Sequence, residues 1–265
     1  NDNAAIGTVA VGHSDLLALT SGAKNVAIGY DAMGDALQSY NNVAIGYESL
    51  NALAGDDVNN AGGNNIAIGV DSMGSLNAGV HGSARANMNI AIGTSAFLAG
   101  SMADSSASVS TGNVCIGHEA AMTTGTNPQE GITAIGHRAL KALTSGAANT
   151  AVGYRSQTAN TTGAWNTTVG YDSGIALTAG SHNNTALGYN ALIAGNHANT
   201  DDNTCIGSTA GDSITSGSDN TIIGSEADTS AATGVNQTVV GYATTGQANN
   251  SVTLGNADVT AVFMG

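Results

Sequence analysis

Along the whole chain a short phrase recurs in which two apolar or threonine positions flank a small residue and the second is followed by glycine. Fourteen copies end at Gly7, Gly29, Gly46, Gly69, Gly93, Gly117, Gly136, Gly153, Gly170, Gly188, Gly207, Gly224, Gly241 and Gly255, at intervals of 14 to 24 residues. Alternation with period two reads as a short strand, so each phrase predicts one strand. A repeat period near twenty is that of a solenoid, in which each unit buries its apolar surface only against its neighbours.

The residue before each glycine forms an aliphatic column: Ile28, Ile45, Ile68, Ile92, Ile116, Ile135, Val152, Val169, Leu187, Ile206, Ile223 and Val240. Its size predicts the core ladder. Two residues earlier, on the same face, Val or Ile in the early copies gives way to Thr at 133, 150, 167, 185, 204, 221 and 238. Between them stands a small residue, such as Ala27, Ala44, Cys115 or Ala186, which predicts a face that another backbone can approach closely.

Asn lies four residues before the glycine in eleven of the fourteen copies, where stacked amides can bond along the column and tolerate turn geometry. The glycine itself marks a bend that a Cβ would obstruct. Next come Tyr30, Tyr47, Tyr154, Tyr171, Tyr189 and Tyr242, with His118 and His137 in the same column. Ala or Ser three past the glycine suggests a second short strand, so each coil reads as strand, bend, short strand and variable loop. The fold class expected is all-β: a parallel β-roll or β-solenoid of about fourteen coils, one repeat domain over residues 1–265. One coil is thin, and a parallel homotrimer packing the small-residue face around a common axis would cover it.

Composition narrows the function. Nineteen acids against five bases (Lys24, Arg85, Arg138, Lys141, Arg155) give a formal charge of −14, which argues against nucleic acid and anionic membrane surfaces. No apolar run reaches the roughly eighteen residues of a membrane span, and none of these residues reads as a signal peptide. The chain opens on Asn1 rather than Met, which points to a segment of a longer protein.

Candidate chemistry is sparse. The longest inter-repeat segments carry Asp56, Asp57, His81, Arg85, Asp104, Asn127 and Glu130. They are receptor-binding candidates, because loops on a rigid scaffold often bind; the alternative is tolerated insertion or packing between subunits. Trp165, the single tryptophan, either stacks on a sugar or fills a corner. The Tyr/His column reads more readily as packing between coils than as a sugar-binding stripe. His118 and His137 lack a third ligand, so no metal is expected, and neither is a cofactor. Cys115 and Cys205 lie five coils apart, roughly 24 Å, too far for a disulfide; in a trimer each would face its symmetry mates. No nucleophile elbow, zinc-binding HExxH, phosphate loop or carboxylate pair appears, so the chain is not expected to be an enzyme.

The phrases NVAIGYDA (25–32), NVAIGYES (42–49), NIAIGVDS (65–72) and NTALGYNA (184–191) closely resemble the YadA-like head repeat of trimeric autotransporter adhesins. Similar arrays occur in bacteriophage tail fibres, and NNSVTLGNADVTAVFMG (249–265) is like the segment that precedes a chaperone domain in some fibres. The resemblance implies a left-handed parallel β-roll in a parallel homotrimer. It further implies an extracellular setting on a virion tail fibre or bacterial cell surface, and attachment to a host or cell-surface receptor, a glycan in the leading reading. These coils are longer than the period of about fourteen in such heads, and residues 1–265 contain no neck, heptad-stalk or anchor motif. Two rival readings remain. An ice-binding solenoid would use the Thr-x-aliphatic array, which requires Thr and Ile to face outward. A passive fibre spacer would leave recognition to a neighbouring module.

Overall fold

The computed structural model describes residues 6–20, 22–53, 62–75, 85–98, 109–123 and 129–263, with the backbone alone at Arg85 and Val109. Two compact units divide the chain, Asn1–Ala147 and Ala148–Gly265. Unit 1 contains strands β1 (Val9–His13), β2 (Val26–Tyr30), β3 (Val43–Ile45), β4 (Ile66–Ile68), β5 (Arg85–Asn87), β6 (Ile90–Ile92), β7 (Val109–Thr111), β8 (Val114–Ile116) and β9 (Thr133–Ile135). Unit 2 contains β10 (Thr150–Val152), β11 (Thr167–Val169), β12 (Thr185–Leu187), β13 (Thr204–Ile206), β14 (Thr221–Ile223), β15 (Gln237–Val240) and β16 (Ser251–Leu254). The described residues contain no helix, and so none long and apolar enough to cross a membrane.

Each unit is a parallel β-solenoid. In unit 1 the ladder runs β1-β2-β3-β4-β6-β8-β9, with β5 and β7 pairing separately, and in unit 2 it runs from β10 to β16 in chain order. Equivalent repeat positions pair without slippage: Ile45 stands opposite Ile68 although 23 residues separate them, and Val152 opposite Val169 across 17. Coil length therefore varies outside the ladder, never within it.

The register moves the first repeat. Val9–His13 pairs with Val26–Tyr30, which places Gly12 opposite Gly29. Gly12, not Gly7, is thus the first marker, and the opening interval is 17 residues. VAVGH carries the same alternation as VAIGY and adds His13 to the column headed by Tyr30.

The faces of the strands are the reverse of those expected. The small residue points inward: Ala27, Ala44, Ala67, Ala91, Cys115, Ala134, Ala151, Ala186 and Cys205 are fully buried. The aliphatic column turns outward, from Ile28 through Ile92 to Leu187 and Val240, and is not the core of its own chain. Walls about 10 Å apart admit only so much side chain, and here the opposite wall supplies the bulk. Met33, Leu50, Met73, Phe97, Leu140 and Leu192, four past the glycine, are fully buried, as are Leu53, Leu143, Leu177 and Ile214, seven past it. Alanine on the strand leaves room for them.

No second strand follows the glycine. Asp31 and Met33 have φ of 53° and 54°, and Arg155 and Gln157 have 53° and 51°. Alternate residues in the left-handed region wind the chain into a tight turn where strand geometry would keep it extended. The marker glycine is required twice over. Gly170 has φ +140°, and a Cβ there would lie 2.2 Å from the carbonyl oxygen of Gly188 on the next coil.

The asparagine column behaves as expected. Asn42 donates its backbone N–H (3.0 Å) and its Nδ2 (3.3 Å) to Oδ1 of Asn25, and Nδ2 also bonds the carbonyl of Gly62 (3.0 Å). The pattern repeats through Asn65, Asn89 and Asn113 in unit 1 and from Asn149 to Asn220 in unit 2. All these amides are buried.

Candidate functional site

Asp56, Asp57, His81, Asp104 and Asn127 lie outside the described residues, and Arg85 is placed only as the first backbone residue of β5. Glu130 is exposed in unit 1, where it forms a parallel bridge with Thr111. Trp165 belongs to unit 2 and is 61% exposed, so it does not fill a corner.

The sheet itself provides the broadest surface. Because alanine faces inward, the outward face carries paired rows of Val/Ile or Thr with Ile, Val or Leu. In unit 2 these run from Thr150 and Val152 through Thr185 and Leu187 to Thr238 and Val240, in register on successive strands. Leu187 is 45% exposed and Ile28 in unit 1 is 37% exposed. A contiguous apolar stripe left in water marks an interaction surface.

Beside the stripe the tyrosines stack between coils. His13, Tyr30 and Tyr47 have successive ring centroids 5.1 and 5.4 Å apart, and Tyr154, Tyr171 and Tyr189 are spaced 4.9 and 5.6 Å. Their interplanar angles are 7° to 24°, so each ring covers one face of its neighbour. His118 and His137 stack likewise at 5.2 Å.

Charges gather at the position after the aromatic. Oε2 of Glu119 accepts from Arg138 Nε (2.6 Å) and Lys141 Nζ (2.7 Å). The Lys141 ammonium foremost, with Arg138, holds this carboxyl down at about 2. Arg155 donates Nε to Asp172 Oδ1 (2.8 Å), pairs with Oδ2 as well, and its guanidinium lies 5.3 Å from the Tyr154 ring centroid. The Glu48 carboxylate accepts a hydrogen bond from the Tyr47 phenol and would repel its phenolate, pushing that phenol up to about 12. The only sequence signal for the Arg155–Asp172 pair is that both residues lie two past a marker glycine and 17 apart.

Cys115 and Cys205 occupy the inward alanine column, so their thiols face the interior of their own chain and not a neighbouring chain as expected. Burial pushes both thiols up. Among the described residues no three His, Cys, Asp or Glu side chains come together as a metal site. Chemically the surface offers apolar rows, aromatic edges, one open indole and scattered carboxylates, the equipment of a binding surface. No family model, curated protein or solved structure matches the chain.

Proposed function

We propose that the chain is a segment of a non-enzymatic attachment fibre, a parallel homotrimer that displays its loops and corners to a host-surface glycan, on a virion tail fibre or bacterial cell surface. The outward aliphatic column carries this reading. One chain alone leaves Ile28, Ile92, Leu187, Ile223 and Val240 more than a third exposed, and closed association about an axis withdraws such a stripe from water at about 25 cal/mol per Å2. The axis therefore meets the aliphatic face, and the small-residue face fills each chain. The left-handed coil implied by the repeat belongs to the same proposal.

Light scattering of the purified chain tests it, together with attachment of that sample to candidate host cells. A threefold mass with attachment supports the reading, and a monomer in dilute solution overturns it.

One observation favours a second reading. Thr and its aliphatic partner face outward in regular rows on six successive strands of unit 2, β10 to β15, as an ice-binding surface requires. Thermal hysteresis decides between the two: a monomer that depresses the freezing point supports ice binding, and its absence at high concentration removes it.

A further inference from the structure

The interior of unit 2 loses its filling toward β16. Leu192 lies four past its marker glycine, Leu177 and Ile214 seven past theirs, and all three are fully buried. After Gly241 the same two places hold Thr245 and Ala248, both exposed. Neither supplies a side chain of leucine's length. Thr253, the inward residue of β16, stands opposite the fully buried Val239 in the strand register.

The shortfall leaves a cavity of about 370 Å3. Thr245 and Gln247 on the turn after β15, Thr253 on β16, and Gly255, Asn256 and Ala257 beyond it line this space together with Ala243. Hydrogen bonds fix its walls. Gln247 Nε2 donates to the Thr245 carbonyl at 2.9 Å, Asn256 Nδ2 donates to the Tyr242 carbonyl at 3.0 Å, and Asn256 Oδ1 accepts the Asp258 N–H at 3.0 Å. Val259 closes over Gly255 so tightly that a Cβ there would meet its Cγ2 at 2.2 Å. Thr253 Oγ1 is buried and has no hydrogen-bond partner in the protein. Such a hydroxyl costs free energy that a ligand can return, and rotation about Cα–Cβ brings it to the cavity its residue lines.

We infer that this cavity binds one pyranose ring of a neutral glycan. None of the residues that line it is charged. Two amides and two hydroxyls share its walls with alanine, glycine and threonine methyl groups, the mixture that a sugar's hydroxyls and C–H faces require. The volume stands at the low end of the roughly 300–1,000 Å3 of small-molecule sites, so it admits one ring rather than a chain of them. Gln247 Oε1 accepts from one ring hydroxyl, the second Nδ2 hydrogen of Asn256 donates to another, and Thr253 Oγ1 meets a third. Acidic sugars fit poorly, because the single Lys or Arg of unit 2, Arg155, is paired with Asp172. The inference deepens the attachment reading and rests on it for the biological setting, though not for the chemistry.

Saturation-transfer titrations of the intact oligomer with methyl glucoside, methyl galactoside, methyl mannoside and N-acetylglucosamine test the site. Saturable binding of one of them is expected, with a dissociation constant on the order of 1 mM. Ala257 is exposed, so Ala257→Leu fills the cavity from its rim and should abolish binding without moving the urea midpoint. Thr253→Val keeps the shape and removes the hydroxyl. It should weaken binding about fivefold, as the loss of one neutral hydrogen bond does, while the urea midpoint stays level or rises because no partner is stranded. No response to any of the four sugars overturns the site, and so does binding that either variant leaves unchanged. A lower urea midpoint in Thr253→Val would make the hydroxyl a structural one and overturn it too. A parent oligomer that attaches to cells without binding any of the sugars overturns the site and leaves the attachment reading standing. Sugar binding without attachment supports the site and overturns that reading.

Discussion

Asn166 Oδ1 accepts two hydrogen bonds from Asn184, one from the backbone N–H and one from Nδ2, each at 3.0 Å. Asn184 passes the arrangement on, accepting the N–H of Asn203 at 3.2 Å and its Nδ2 at 3.1 Å, while its own Nδ2 also bonds the Thr200 carbonyl at 2.6 Å. Replacing Asn184 with Ala strands the Asn203 N–H and the Thr200 carbonyl in a buried corner. We expect a loss of about 3 kcal/mol, read as a lower urea midpoint. Asn184→Asp should cost more, because a carboxylate would face the Asn166 and Thr200 oxygens. Equal midpoints for parent and Asn184→Ala would contradict the account.

Two glycines distinguish space from conformation. Gly170→Ala must accommodate φ +140° and a Cβ 2.2 Å from the Gly188 carbonyl oxygen, whereas Gly112→Ala meets nothing within 4 Å at φ +68°. The first should cost about 4 kcal/mol or prevent folding, and the second about 1 kcal/mol for a Cβ in the left-handed region. Urea titrations of the two variants side by side check the ordering.

The asparagine and glycine columns were legible in the sequence because each position makes a demand few residues satisfy. A stacked buried corner needs an amide, and a backbone lying on the next coil's backbone excludes a Cβ. Facing was not legible. Period two tells which residues share a face and says nothing of which face is inside, and residue size suggested Ile28 over Ala27. The interior is filled instead by Met33, Leu50 and Phe97, whose place in a turn of alternating left-handed residues follows neither the strand nor the helix period. Gly7 and Gly12 both end an aliphatic-x-aliphatic run, and only the 17-residue spacing of His13 and Tyr30 separated them. The exposure of Trp165 followed from a left-handed corner that a lone tryptophan does not announce.

Adjacent residues test the facing directly. Ala186 is fully buried and Leu187 is 45% exposed. Ala186→Asp places an unpaired charge inside the coil and should abolish folding. Leu187→Asp should leave the circular dichroism of the sheet unchanged and, under the trimer proposal, reduce the mass by light scattering to one 25.9 kDa chain. If Leu187→Asp unfolds the chain and Ala186→Asp does not, the faces have been assigned backwards.

Acid should weaken unit 1 through Glu119. Its carboxyl is lowered from 4.5 to about 2 by hydrogen bonding to Lys141 and then Arg138. A group depressed in the folded state stabilises it above the unfolded value, and that contribution fades as pH falls through the interval toward the folded value. Melting temperatures of the parent should therefore fall more steeply than those of Glu119→Gln between about pH 4.5 and pH 2. Parallel slopes for the two proteins would remove Glu119 from the acid response.

The inward alanine column also fixes the fate of the thiols. Cys115 and Cys205 are fully buried, and desolvation raises both well above the ordinary thiol value. Only a thiolate attacks a disulfide reagent, so both barriers, access and ionisation, hold until the coil opens. At about pH 8, near the ordinary thiol pKa, an aromatic disulfide reagent should find no reactive thiol in the native protein and two per chain in denaturant. Copper-catalysed oxidation supplies the second half of the test. Thiols gathered at a symmetry axis would crosslink native chains in pairs, whereas thiols enclosed within each chain should leave them separate on a non-reducing gel.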